Sequence, residues 1–168
     1  MCGHVDSTDA KNAAFDDFLQ KWRDDNNVSC TWLRMVASEA GKGTGDAVGD
    51  MKTLMASDVY DAKNPNKFYS LIGGFAGANI EGFHAADGSG YEFVADVLLQ
   101  SDAVNPQASS RMASPFTKWR LYDEKRQDLI KAQLERMLAH KLSPNLYEIV
   151  SKAIKLSLIH ISEPTRPY

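Results

Sequence analysis

Four histidines are the first candidates for chemistry: His4, His84, His140 and His160. No two stand four apart and no H-E-x-x-H occurs, so the pattern that sets two imidazoles around zinc on one helix face is missing. A zinc site built on His84 and His140 would need further ligands, and nothing in the sequence nominates them. His84 and Asp87 lie three apart in Phe83-His84-Ala85-Ala86-Asp87-Gly88, a spacing that could serve a proton relay. No nucleophile accompanies them. The simpler reading has His84 bonded to backbone in a loop and Asp87 capping the next helix. Gly41-Lys42-Gly43-Thr44 lacks the G-x-x-x-x-G-K-[ST] spacing and follows no strand, which excludes a phosphate loop. No catalytic residue and no metal ligand is therefore expected.

The most suggestive polar pair is Gln107 and Arg111. They stand at i and i+4 behind Asn105-Pro106, so a helix starting there carries both on one face near its N-terminus, an end that favours anions. A guanidinium can grip a carboxylate through two parallel hydrogen bonds, and an amide can donate to and accept from a peptide backbone. Such a pair could hold the carboxyl end of a short peptide. The simpler reading of the pattern alone is a solvated helix face with a local salt bridge.

The elements that must position these residues are helices. Apolar side chains recur at helical spacing in eight stripes. The first four are Phe15, Phe18, Leu19 and Trp22; Val28, Trp32, Met35 and Val36; Ala47, Met51, Leu54 and Met55; and Phe68, Leu71, Ile72 and Phe75. The next two are Tyr91, Val94, Ala95 and Leu98, and Ala108, Met112, Phe116 and Trp119, the latter interrupted by Pro115, which should kink or end the helix. The last two are Ile130, Leu134, Met137 and Leu138, and Leu146, Ile149, Val150, Ala153 and Ile154. Asn64-Pro65, Asn105-Pro106 and Ser143-Pro144 each place a capping side chain before a proline suited to the first helical position. Ser89 to Glu92 reads as a capping box, and Asp123 can cap the seventh helix. Gly41 to Gly45 reads as a flexible connector, and the irregular stretch from Ala76 to Gly88 has room for one short helical turn. Gly73-Gly74 inside the fourth helix implies a close approach of another backbone.

No segment alternates with period two, so no sheet is expected. The predicted fold is all-α: about eight helices in antiparallel pairs, stacked like an α-solenoid, without a fixed-period repeat. The 168 residues, 43% hydrophobic and 24% charged, make one domain with a buried core. A net charge of −3 gives no case for nucleic acid or an anionic membrane. No apolar run reaches the roughly 20 residues of a membrane-spanning helix, and the start lacks a signal-peptide pattern. Cys2 and Cys30 make no disulfide framework and suit a cytoplasmic protein, with Cys30 expected as a small buried hydrophobe. From Leu156 to Tyr168 the helical periodicity is lost and two prolines appear. We expect the domain to be 1–155 and 156–168 to be a non-native tail resembling adapter read-through.

Ordered motifs then carry a resemblance. Lys21-Trp22 with Trp32, Asn64-Pro65-Asn66, Leu71-Ile72-Gly73-Gly74-Phe75-Ala76-Gly77-Ala78-Asn79 and Phe83-His84-Ala85 come first. Asp87-Gly88-Ser89-Gly90-Tyr91, Asn105-Pro106-Gln107, Ser110-Arg111, Tyr122 to Gln127, and Leu142-Ser143 with Leu146-Tyr147-Glu148 follow. Together, from about Phe15 to Ile154, they resemble the C-terminal helical domain of the bacterial aminopeptidase N family of zinc exopeptidases. The Gly41 to Gly49 connector is more glycine-rich than that pattern.

The resemblance implies a cap domain that closes over a separate catalytic domain and encloses its active-site cavity. It implies that zinc, the H-E-x-x-H ligands and the glutamate base reside in that other domain, with none of the cofactor in this chain. It also implies that Gln107 and Arg111 face the cavity and contact the downstream end of short peptide substrates. The chain is then expected to be a fragment, inactive alone. The alternative is a stand-alone α-solenoid module that binds a protein partner without catalysis.

Overall fold

A computed structural model describes residues 7–160, with side chains from residue 10 to 155, Asn12 apart. His4, Cys2 and most of the expected tail lie outside the described residues. Among the described residues there are ten α-helices, one 3-10 turn and no strand. They fall into two compact units, Met1–Ala85 and Ala86–Tyr168.

The first unit contains α1 (Ser7–Trp22), α2 (Asn26–Glu39), α3 (Ala47–Ala56), α4 (Pro65–Ala78) and the short α5 (Ile80–Phe83), the helical turn expected in the irregular stretch. Two helix starts follow from local chemistry. Asp25 accepts from the Asn27 and Val28 amides, and Asn64 from those of Asn66 and Lys67. The fourth stripe is buried in full: Phe68, Leu71, Ile72 and Phe75 are at most 3% exposed. The second stripe is only partly correct. Trp32 is buried, but Met35 is exposed, and the inner face of α2 is instead Ser29, Leu33 and Ala37.

Small residues occupy that face because α2 and α4 press backbone against backbone. A Cβ added at Gly74 would lie 2.6 Å from the Arg34 carbonyl oxygen. This is the close approach implied by Gly73-Gly74. Trp22, the last member of the first stripe, is 53% exposed. Cys30 is half-buried rather than a core residue. Asn79, buried, ties the end of α2 to the start of α5. Its Nδ2 donates to the Ala37 and Ala40 carbonyls at 3.2 and 2.7 Å, and its Oδ1 accepts from the Gly82 amide at 2.9 Å.

The second unit contains α6 (Ser89–Asp102), α7 (Pro106–Met112), α8 (Ser114–Thr117), a 3-10 turn (Trp119–Leu121), α9 (Glu124–Leu138) and α10 (Pro144–His160). Tyr91, Val94, Ala95 and Leu98 are fully buried, as are Ile130, Leu134 and Met137 of α9 and Leu146 and Val150 of α10. α6 packs on α7 and α9, and α10 packs on α7, α8 and α9. Pro115 divides the sixth predicted helix into α7, α8 and the 3-10 turn, which is one reason the helices outnumber the eight expected.

The capping box at Ser89 does not form. Gly88, at φ +81°, precedes the helix without a side-chain cap, and Ser89 bonds back to Asp87 instead. The left-handed backbone favours glycine here, and a Cβ at Gly88 would also press on the Leu129 side chain at 3.0 Å. The last helix continues to His160, five residues past the expected boundary.

Candidate functional site

α7 is a short platform held from behind. The Asn105 side chain accepts from the Ala108 amide at 3.0 Å, and Pro106 takes the first helical position. Ala108 and Ser109 face inward at no more than 1% exposed, and the Ser109 hydroxyl meets that of Ser101 on α6 at 2.5 Å. The helix ends where the Ala113 amide turns back to the Ser109 and Ser110 carbonyls.

Gln107 and Arg111 project from the other side, and both are exposed. The structure therefore keeps the pair on one accessible helix face, as the spacing predicts. A fork of guanidinium donors one turn from an amide can bind a planar carboxylate and an adjoining peptide group. α7 has only seven residues, so its backbone adds little directed charge, and the binding capacity rests on the two side chains.

The other sequence candidates are placed differently. His84 is half-buried with its ring 4.9 Å from that of Phe83. Asp87 accepts from both the amide and the hydroxyl of Ser89, bonds that hold its carboxyl below the ordinary range. It is a turn-forming carboxylate rather than the helix cap of the simpler reading, since Gly88 precedes α6 without a side-chain cap. His140 is exposed at the end of α9 with Nδ1 2.9 Å from the Arg136 carbonyl. Among the described residues no group of three or more His, Cys, Asp or Glu side chains could hold a metal ion.

The Gly41 to Gly45 connector is built around a carboxylate of its own. Asp50 Oδ2 accepts from the Gly41 amide and the Thr44 hydroxyl, each at 2.8 Å, and Gly41 and Gly45 take left-handed conformations at φ +86° and +74°. Beside it, Glu39 receives Lys11 and Lys42 on separate oxygens, both at 2.9 Å. Those bonds, Lys42 first, lower its carboxyl pKa.

Sequence reasoning did not single out Asn79, nor Asp102 at the end of α6. The buried Asp102 carboxylate accepts from the Ser143 amide at 2.7 Å and the Ser143 hydroxyl at 2.6 Å, fixing the start of α10. Their partners lie about forty residues away, so no local pattern could reveal them. No described helix is long and apolar enough to cross a membrane.

The chain is similar to known proteins. The chain is 36% identical over 140 residues to aminopeptidase N of Haemophilus influenzae, covering 83% of this chain and 16% of that protein. It is 34% identical over 145 residues to aminopeptidase N of Escherichia coli, covering 86% of this chain and again 16% of the relative. A crystal structure of Legionella pneumophila aminopeptidase A in complex with aspartic acid is similar at TM-score 0.80 and 28% identity, over 89% of this chain and 17% of that one. The chain thus spans 16% of the length of these curated relatives.

These likenesses bear out the resemblance to the C-terminal helical domain of aminopeptidase N. Residues 2–155 match a family described as "Domain of unknown function (DUF3458_C) ARM repeats", in keeping with the all-α, solenoid-like stack expected from the sequence. The chain belongs to this family of ARM-repeat domains.

Proposed function

We propose that this chain serves as the C-terminal cap of an aminopeptidase N-like zinc exopeptidase acting on short peptides. In this reading it packs against the catalytic domain, encloses the cavity, and leaves the hydrolytic chemistry to the partner domain. When bound there, zinc would polarise the scissile carbonyl and activate water. The observation that carries the reading is the likeness to aminopeptidases over most of this chain but only 16% of the relatives' length. The domain is 1–155, a boundary that coincides with the end of the family match, and 156–168 is a non-native tail. The protein works in the cytoplasm.

Gln107 and Arg111 hold the downstream end of the peptide. Their shared exposed face on the anchored α7 supports this role. The test places this chain in the aminopeptidase N of Haemophilus influenzae in place of the matching segment. Arg111→Ala should raise KM for a dipeptide about tenfold, the scale of one lost charge-assisted hydrogen-bond pair. It should leave an alanyl amide substrate, which has no carboxylate, unchanged. An equal effect on both substrates rules the role out.

A further inference from the structure

Within the first unit a cavity of about 250 Å³ opens between α1, α2, α3 and the glycine connector. Phe15, Val36, Ala40 and Leu54 supply its apolar wall, and Lys11, Glu39, Thr44, Thr53 and Asp50 its polar one. The charges around the lining are unevenly paired. Lys11 is spent on Glu39, whose second oxygen already receives Lys42. Asp50 has only neutral donors, the Gly41 amide and the Thr44 hydroxyl, and both fall on Oδ2. No ion pair to Asp50 forms among the described residues, and its Oδ1 retains acceptor capacity. Both ammoniums of the cluster thus sit on Glu39, and Asp50 lines an apolar recess, too small for a folded partner, with no cation of its own among the described residues. A half-buried carboxylate without a cation gains from a charge-assisted hydrogen bond, and the recess gains from an apolar body that displaces water.

We infer that this cavity is a binding site for a small primary amine on an apolar or aromatic stem, its ammonium on Asp50 and its stem against Phe15, Val36 and Leu54. Such a site is distinct in chemistry from the cationic Gln107 and Arg111 face and does not depend on its role. Phenethylamine, protonated at neutral pH, is the probe; phenylacetate and phenethyl alcohol are its anionic and neutral counterparts.

Titration of the full chain, followed by amide NMR shifts, should give saturable changes at Gly43, Thr44 and Thr53. The expected Kd is on the order of 1 mM, the scale of a ligand of about nine heavy atoms. Asp50→Asn keeps an acceptor for Gly41 and Thr44 but removes the charge, and should weaken binding about tenfold. Thr53→Phe, at an exposed position on the rim, should block binding while leaving the circular dichroism melt in place. Absence of saturable shifts with the wild-type chain would overturn the proposal. So would phenylacetate binding as tightly as the amine, or unchanged affinity in Asp50→Asn with native dichroism.

Discussion

In Met1–Ala85 the buried side chain that closes a distant helix end is the amide of Asn79; in Ala86–Tyr168 it is the carboxylate of Asp102. Asn79 works at the C-terminal end of α2, where carbonyls lack partners, and its two amide hydrogens reach two of them. Asp102 works at the start of α10, where an amide lacks a partner, and its two oxygens take the amide and hydroxyl of Ser143. The Ser143 hydroxyl in turn accepts from the Leu146 amide at 3.3 Å. Each helix terminus thus dictates the polarity of the side chain that can close it. The packing differs as well. The first unit brings two helix backbones together at Gly74, while the second fills its core with a whole phenol, Tyr91.

Exchanging the two groups is the strongest way to break this comparison. Asn79→Asp keeps the acceptor for the Gly82 amide but sets its second carboxylate oxygen against the Ala37 and Ala40 carbonyl oxygens, and should destabilise the fold by about 3 to 5 kcal/mol in urea unfolding. The mirror change, Asp102→Asn, retains an acceptor and should cost less, about 1 to 2 kcal/mol. Equal losses would show that terminus polarity does not decide the matter.

The close approach at Gly74 offers the next effect. Gly74→Ala gains helix propensity but drives a methyl against the Arg34 carbonyl, and the backbone cannot yield cheaply, so a net loss of about 2 kcal/mol is expected. Gly77, in the same helix, has no atom within 4 Å of an added Cβ. There Gly77→Ala should stabilise by up to about 1 kcal/mol. Opposite signs in thermal melts support the contact; the same sign at both positions contradicts it.

Alkaline pH sharpens the contrast from the other unit. Burial, opposed in part by Arg126, pushes the Tyr91 phenol up to about 12. The unfolded chain ionises this phenol near pH 10 while the folded one keeps it neutral. Its contribution is therefore present below pH ~10 and falls by about 2 to 3 kcal/mol as pH rises to about 12. Tyr60 in the first unit shifts in the same direction. The difference between wild type and Tyr91→Phe in urea midpoints across that window isolates the Tyr91 share. Parallel curves would place the phenol in contact with water.

Most of this architecture is legible in the residues. Phe68, Leu71, Ile72 and Phe75, and Tyr91, Val94, Ala95 and Leu98, read as buried stripes because large apolar side chains at helical spacing have only one place to go. The α2 stripe reads one step out of register because a backbone approach selects Ser29 and Ala37 over larger neighbours, and hydrophobicity alone does not report that. The Ser89 cap fails for a related reason, since a left-handed Gly88 starts the helix before the serine can. Gln107 and Arg111 are visible as an i, i+4 pair. Their support by Ser101 and Ser109, like the bonds of Asn79 and Asp102, depends on tertiary neighbours.

The claim that this chain caps an aminopeptidase is tested most directly by replacement. Aminopeptidase N of Haemophilus influenzae lacking the segment that matches this chain should lose most dipeptide turnover. The same enzyme carrying this chain in its place should recover it, within about tenfold of the intact enzyme. Recovery at that level is the predicted result. Full activity of the truncated enzyme, or no recovery by a chimera whose unfolding remains cooperative, would contradict it.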